Sequence, residues 1–208
     1  MGAVATAEAE AAGEAGRFES AARLQPGGVS IGLAAPAELT AVGELTASVY
    51  AAAGLGDDQY HAHLREADDR ARRARLLVAR GVARGPGDPG PLLGTVTLAG
   101  ADEAYADIAQ TGEAEFRMLA VAPEAEGLGI GRRLVEACHQ LAAAGGAHTM
   151  VCSVEQQNER AIGLYRRMGY VRAPERDWMP VPDLRLHVFT CPLERQPARS
   201  RPCTEASP

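Results

Sequence analysis

Residues 121–135, Val121-Ala122-Pro123-Glu124-Ala125-Glu126-Gly127-Leu128-Gly129-Ile130-Gly131-Arg132-Arg133-Leu134-Val135, decide how this chain of 208 residues is read. An extended apolar run, 116–121, enters a loop with glycine at every second place, and a helical pattern leaves it without a break. Glycines 127, 129 and 131 remove every second side chain, so main-chain N–H groups can approach a ligand closely. The helix that follows adds its unpaired first-turn N–H groups and the positive end of its dipole. A strand, a glycine loop and a helix start together make an anion cradle, most often for phosphate.

Three phosphate loops compete for this stretch. A Walker loop needs a lysine at its end, and the chain has none: all 21 of its basic residues are arginine. A dinucleotide fingerprint needs Gly-x-Gly-x-x-Gly. Counted from Gly127 the sixth position is Arg132, and counted from Gly129 it is Leu134, so neither frame fits. What remains is x-x-Gly-x-Gly, running from Glu126 to Gly131. Taken alone, the same glycines could serve only a tight strand-to-helix turn.

A second block follows: Asn158-Glu159-Arg160-Ala161-Ile162-Gly163-Leu164-Tyr165-Arg166-Arg167-Met168-Gly169-Tyr170. With the glycine loop before it, in that order, the chain resembles the GNAT superfamily of N-acetyltransferases over residues 29–193. Their phosphate loop is Gln/Arg-x-x-Gly-x-Gly/Ala, and their later signature is Asn-x-x-Ala-x-x-Leu-Tyr-x-x-x-Gly-Phe/Tyr. The chain departs from the first at one place, with Glu126 where the family has Gln or Arg. A carboxylate beside a pyrophosphate is repulsive; the neighbouring Arg132 and Arg133 are expected to offset it.

Length and composition bound the answer independently. The length suits one domain with a sizeable core. Apolar content of 46% and charged content of 23% are ordinary for a soluble globular protein. Residues 1–27 are rich in Ala, Glu and Gly, lack the basic start and apolar stretch of a signal peptide, and are expected to be a disordered tail. Residues 195–208 read the same way, leaving 28–194 as the domain. No segment is long and apolar enough to cross a bilayer. Cys138, Cys152, Cys191 and Cys203 show no framework or metal spacing, so a reducing cytoplasm is expected. The net charge of −6 argues against sequence-independent nucleic-acid binding and suits a cationic amine as partner.

Along the chain, 29–34 reads as a strand and 36–52 as a helix, with Leu39, Val42, Leu45 and Val49 at helical spacing. A second, strongly charged helix is expected over 58–73. Strands at 76–80 and 92–99 form a hairpin across a Gly/Pro-rich turn. A fourth strand, 113–121, ends at the cradle, and an amphipathic helix over 131–144 stops at Gly145-Gly146. A fifth strand, 148–154, precedes a helix capped by Asn158 and ended by Gly169. Segments 170–172 and 185–191 are the last strands. The expected fold is a mixed, mostly antiparallel sheet of six to seven strands with helices on both faces, the GNAT layout.

The resemblance implies chemistry. Acetyl-CoA is the expected co-substrate, its pyrophosphate on the N–H groups of Gly127, Leu128, Gly129, Gly131 and Arg132, beside Glu126. Its pantetheine arm is expected along Leu119-Ala120-Val121 and within reach of Asn158. On residues alone Asn158 reads as a helix cap. An alkyl ammonium has a pKa near ~10, so transfer to it needs a base. By period two, Glu113, Glu115 and Arg117 share one face of the fourth strand, and Ala114, Phe116 and Met118 the other. Glu115, eleven positions before Glu126, matches the catalytic glutamate of histone-type members and is the expected base, with Glu113 second. The N–H of Leu119 is the expected oxyanion donor. Tyr165, seven residues after Asn158, is the expected proton donor to the leaving thiolate. His61 and His63 lack a third ligand, so no metal is expected. Trp178 and its flanking prolines are expected to wall the acceptor pocket. A direct attack in a ternary complex is favoured over an acetyl-cysteine route through Cys138 or Cys152. The resemblance is also compatible with a homodimer. A catalytically silent acyl-CoA-binding regulatory domain is the competing class, and a partner-binding scaffold a third.

Overall fold

The computed structural model describes residues 28–83 and 85–194. The two expected tails, 1–27 and 195–208, lie outside the described residues. Strand β1 (Ser30–Leu33) leads through a 3-10 turn started by Pro36 into α1 (Leu39–Ala52). Helix α2 (Asp58–Arg65) is capped by Asp57, whose carboxylate accepts the Tyr60 N–H at 2.8 Å. Then come α3 (Ala67–Arg73), β2 (Arg75–Arg80), β3 (Leu92–Gly100), β4 (Glu113–Val121) and α4 (Ile130–Ala144). The chain continues through β5 (Thr149–Glu155), α5 (Glu159–Arg167), β6 (Val171–Arg172), β7 (Trp178–Val181) and β8 (Leu184–Pro192).

The strands form one sheet in the order β1-β2-β3-β4-β5-β8-β6, with β7 paired to β8. Every neighbouring pair is antiparallel except β4 with β5. A parallel pair needs a crossover, and α4 provides it. Side chains alternate across β2: Leu76 and Val78 pack with Val42 of α1 and Ala67 of α3, whereas Leu77 and Ala79 pack with the cluster holding Leu134, Val135 and Cys138 of α4. Helices α1, α2 and α3 therefore cover one face, and α4 with α5 the other. Leu77 and Leu134 are fully buried, each contributing roughly 2 kcal/mol on transfer from water. Among the described residues no helix is long and apolar enough to cross a membrane.

The mixed, mostly antiparallel sheet with helices on both faces is as expected, but three details differ. The sheet has eight strands, because residues 178–181, read as loop, form β7. Pro180 is tolerated there because β7 lies at an edge and pairs irregularly. The charged helix expected over 58–73 breaks at Glu66, where ψ rises to 51°. The break lets Leu64 of α2 and both Ala67 and Arg70 of α3 turn inward. Third, Met118 is not on the face of Ala114 and Phe116. Thr97 pairs with Arg117 and Thr95 with Ala120, so Val96 faces both Met118 and Leu119 across a β-bulge. Met118 takes the left-handed φ of 53° there, and its side chain packs with Ala47, Leu64 and Tyr105 on the α1–α2 side.

The approach of α1 to α2 depends on Gly43. A Cβ built there would lie 2.4 Å from the carbonyl oxygen of Arg65, which is backbone and cannot swing aside. Gly43→Ala is therefore expected to cost about 1–3 kcal/mol by forcing the helices apart. Urea unfolding of the two proteins measures it; a loss under ~0.5 kcal/mol would show that this contact carries no constraint.

Candidate active site

The cradle begins where β4 ends. A 3-10 turn over Pro123–Ala125 leads to Glu126, and Gly127 and Gly129 follow with φ of 78° and 75°. Space around both is open, so conformation alone demands glycine at these two positions. The loop folds back over itself and delivers the chain into α4 at Ile130. By helix geometry the N–H groups of Ile130, Gly131 and Arg132 have no intrahelical acceptor. The Leu128 N–H, expected among the ligand-facing amides, donates to the Ala125 carbonyl at 3.3 Å, and the Leu128 side chain is exposed. Gly131 sits where its Cβ would touch Leu164, Val121 and Leu119, between α5 and the end of β4.

Charge around the cradle differs from expectation. Arg132 is taken by Glu136, Nε to Oε1 at 2.7 Å. The counter-charge of Glu126 comes instead from Arg160 of α5, whose guanidinium contacts the Glu126 carboxylate. Arg160 lies inside the second motif, two residues after Asn158, and nothing in the motif marks it as a partner of the loop.

Beside the cradle the sheet opens. β4 and β5 pair only at Glu113 with Thr149, Ala114 with Met150 and Glu115 with Val151, although β4 runs on to Val121 and β5 to Glu155. Past that point β5 stays with β8, pairing as far as Glu155 with Leu186. A cavity of about 430 Å³ fills the wedge. Leu119, Val154, Asn158, Ala161 and Tyr165 bound it toward α5, and Tyr50, Leu55, Gly56, Asp57 and Tyr60 toward α1 and α2. Trp178, Leu184 and Leu186 close it from the β7–β8 hairpin. The cavity thus passes through the plane of the sheet and joins its two sides.

The structure brings together Leu119, Asn158 and Tyr165 on this cavity, and Ala120 and Val121 continue β4 from there into the cradle. Asn158 Oδ1 accepts the Ala161 N–H at 3.1 Å, the capping role its residue type suggests. Tyr165 is wedged edge-on against Phe116, with ring centroids 5.4 Å apart, and contacts Tyr170 and Phe189. Burial pushes its hydroxyl well above the ordinary tyrosine range, so the group stays protonated.

The two glutamates proposed from the resemblance do not line the cavity. Glu115 is the last β4 residue paired with β5, and it is fully buried behind the wall. Its Oε2 accepts the Ile108 N–H at 2.8 Å, and its Oε1 lies 3.7 Å from Nε of Arg117, the next β4 residue on that face. Burial raises its pKa, against the charge of Arg117 and the Ile108 N–H. Glu113 is clamped by both terminal nitrogens of Arg176, at 2.9 and 2.7 Å. Burial raises its carboxyl, but the Arg176 and Gln110 hydrogen bonds prevail and hold it below the usual range. The glutamate that does line the cavity is Glu155, at the end of β5. Burial pushes its carboxyl up, opposed by hydrogen bonds from the Gly56 N–H and from Gln157. No local sequence signal marked it, since Ser153, Val154 and Glu155 all line the cavity where β5 has left β4.

Other candidates sit elsewhere. His61 Nε2 is 2.8 Å from the Leu55 carbonyl, and His63 meets Glu66 at 3.1 Å and stacks on Tyr105. Among the described residues no His, Cys, Asp or Glu cluster is placed to hold a metal ion. Cys138 and Cys152 are free, fully buried, and pushed by that burial well above the ordinary thiol range.

This architecture has relatives. Residues 46–170 match the acetyltransferase (GNAT) family model. A 58-residue segment is 38% identical to mycothiol acetyltransferase of Paenarthrobacter aurescens (strain TC1), spanning 28% of this chain and 18% of that protein. Among solved structures, the fold resembles yncA of Salmonella typhimurium, solved with its cofactor acetyl-CoA, at 21% identity and TM-score 0.54 over 85% of this chain and 100% of that one. It also resembles a GNAT acetyltransferase of Staphylococcus aureus MU50, at 13% identity and TM-score 0.62 over 80% and 99% of the two chains. The ribosomal-protein-S18-alanine N-acetyltransferase of Escherichia coli gives 18% identity and TM-score 0.56 over 82% and 97%. A strand that ends in a positive-φ glycine loop, a sheet that parts beside it and a family match over most of the domain lead to one assignment: the chain belongs to the GNAT family of acetyltransferases.

Proposed function

We propose that this protein moves an acetyl group from acetyl-CoA to a primary amine of a small molecule, peptide or protein, by direct attack in a ternary complex. The observation that carries this reading is the cavity in the wedge between β4 and β5, lined by Asn158 and Tyr165 toward α5 and by Tyr50 and Tyr60 toward α1 and α2. Acetyl-CoA would supply an acyl carbon with a thiolate leaving group. The amides of Gly127, Gly129, Gly131 and Arg132, with that of Ile130, would hold its diphosphate at the positive end of α4. The space over Gly127 and Gly129 is open, which leaves room for such a group. The backbone of Leu119, Ala120 and Val121, left without a β5 partner, would align the pantetheine arm as an added strand, with Asn158 beside it.

Within the pocket Leu119 offers a main-chain N–H at the bulge, where the ladder with β3 is interrupted. Tyr165 holds the proton that the departing thiolate needs. Glu115 acts as counter-ion to Arg117 rather than as the group facing the amine. The buried, protonated state of Cys138 and Cys152 speaks against an acetyl-cysteine route, and free thiols at Cys138, Cys152 and Cys191 suit a reducing compartment such as the cytoplasm.

Two measurements test this. Titration with acetyl-CoA by calorimetry, followed by thiol release with an amine panel, separates an enzyme from a silent cofactor-binding domain and both from a scaffold. The chain has no lysine, so thiol release does not report acetylation of its own side-chain amines. Tyr165→Phe is expected to lower kcat about 10²-fold while the acetyl-CoA Kd stays within about 2-fold. Loss of cofactor affinity instead would assign Tyr165 to packing.

Glu126 gives a second prediction. Two unit charges about 4 Å apart in water interact by roughly 1 kcal/mol. Glu126→Gln removes a repulsion from the diphosphate and frees Arg160 to face it, so acetyl-CoA binding is expected to tighten about 5-fold. The gain should shrink at high salt, because the Glu126–Arg160 pair is exposed. Weaker binding in Glu126→Gln would show that the carboxylate itself supports the loop.

A further inference from the structure

We infer that Glu155 is the carboxylate that holds and deprotonates the acceptor amine, in a subsite that selects a primary ammonium carried on a short apolar or aromatic body. The inference rests on the acetyl-transfer reading for the proton step and on the cavity alone for the binding step.

Position comes first. Glu155 is the last residue of β5, beyond the point where β4 and β5 part, so its side chain belongs to the wedge. Two acidic residues line the cavity, Asp57 and Glu155. The Asp57 carboxylate is committed to capping α2. Glu155 is oriented by the Gly56 N–H and by the Gln157 amide, which contacts its Oε2. Each carboxylate oxygen keeps a second lone pair for a ligand.

The cationic residue lining the cavity, Arg117, is held by Asp107 and faces Glu115 at 3.7 Å. Arg117 thus has anionic partners, although its charge, like that of Glu155, still reaches the hydroxyls of Tyr50 and Tyr60. Tyr50 of α1 and Tyr60 of α2 feel the Glu155 charge, and Asp57, the cap of α2, and Arg117 of β4 line the same cavity. Leu186 pairs with Glu155 from β8.

The walls define the rest of the acceptor. Tyr50 and Tyr60 meet edge to face with centroids 6.0 Å apart, and both hydroxyls feel the charge of Glu155. With Trp178 opposite, they present aromatic faces and edges beside the carboxylate, a setting that attracts an alkylammonium and covers its carbon skeleton. A volume of about 430 Å³, shared with the thioester end of the co-substrate, leaves room for a short body only.

The step balances. An N–H bond of the ammonium breaks and its proton passes to a Glu155 oxygen. The freed lone pair forms the C–N bond, the C–S bond breaks, and its electron pair leaves on sulfur. The proton held by Tyr165 ends on that sulfur. Return of a proton from Glu155 to Tyr165 through water closes the cycle, and the second amine proton goes to solvent. The upward shift of the Glu155 carboxyl brings its proton affinity closer to that of the amine, which suits a base working near neutrality.

The experiment uses 2-phenylethylamine, its neutral analogue 2-phenylethanol, and the long polar cation spermidine. Calorimetry is run on wild type and Glu155→Gln, each with coenzyme A present. Wild type is expected to bind 2-phenylethylamine at least 10-fold more tightly than Glu155→Gln, and more tightly than spermidine. The two proteins should bind 2-phenylethanol alike. Equal binding of the amine to both proteins, no binding to wild type, or a preference for spermidine overturns the subsite. In thiol release with acetyl-CoA, Glu155→Gln is expected to lose about 10²–10³-fold in kcat/KM for 2-phenylethylamine, with unchanged acetyl-CoA affinity. It should also lose the rise of kcat/KM with pH that deprotonation of Glu155 produces. The alkaline rise from the amine's own deprotonation near ~10 is expected in both proteins, whereas a rise retained in the acid range overturns the base role. If wild type binds 2-phenylethylamine through Glu155 but releases no thiol, the acetyl-transfer reading and the proton step fail together while the ammonium subsite stands.

Discussion

Parallel pairing of residues 113–115 with residues 149–151 joins the two halves of the sheet, and then it stops. Everything functional follows from that stop. Before it, β4 side chains are sealed between strands, as Glu115 is. Beyond it, unpaired backbone and side chains line a cavity. The constraint is geometric: β5 is held by β8 along its whole length, so it must follow β8 when β4 turns away. The bulge at Met118 sharpens the divergence by bending β4 at the same level.

Each side of the opening is then stabilised by different means. On the α5 side, Tyr165 is braced among Phe116, Tyr170 and Phe189, an aromatic cluster that fixes its ring. On the α1–α2 side the brace is polar. Arg70, fully buried on α3, donates to the Leu64 carbonyl at 2.7 Å and reaches Thr46 and Met118 Sδ, so α1, α2, α3 and the bulge are tied at one guanidinium. Gly43 permits the close helix contact that this tie requires.

The parts of this arrangement that were legible in the sequence are those written in local chemistry. Gly127 and Gly129 were legible because a left-handed backbone excludes other side chains. Asn158 and Tyr165 were legible because their spacing repeats a known signature. The break at Glu66 was not, since charged residues continue on both sides of it and only the burial of Leu64, Ala67 and Arg70 requires a kink. β7 was hidden by Pro180 and Pro182, which argue against a strand unless it lies at an edge. The bulge at Met118 depends on the register with β3, a non-local property. For the same reason Glu115 looked available and Glu155 did not: which of them meets the cavity is decided by where two strands separate, and no single segment records that.

A channel through the sheet also has an evolutionary consequence. In the proposed reading the nucleotide end would be handled by one loop and one helix start, while the acceptor would meet α1, α2 and the β7–β8 hairpin. Substitutions in those outer elements can re-tailor which molecule is accepted without disturbing the machinery that delivers the activated group. Diversification of one half is thereby uncoupled from preservation of the other, and only the few side chains at the crossing point are answerable to both.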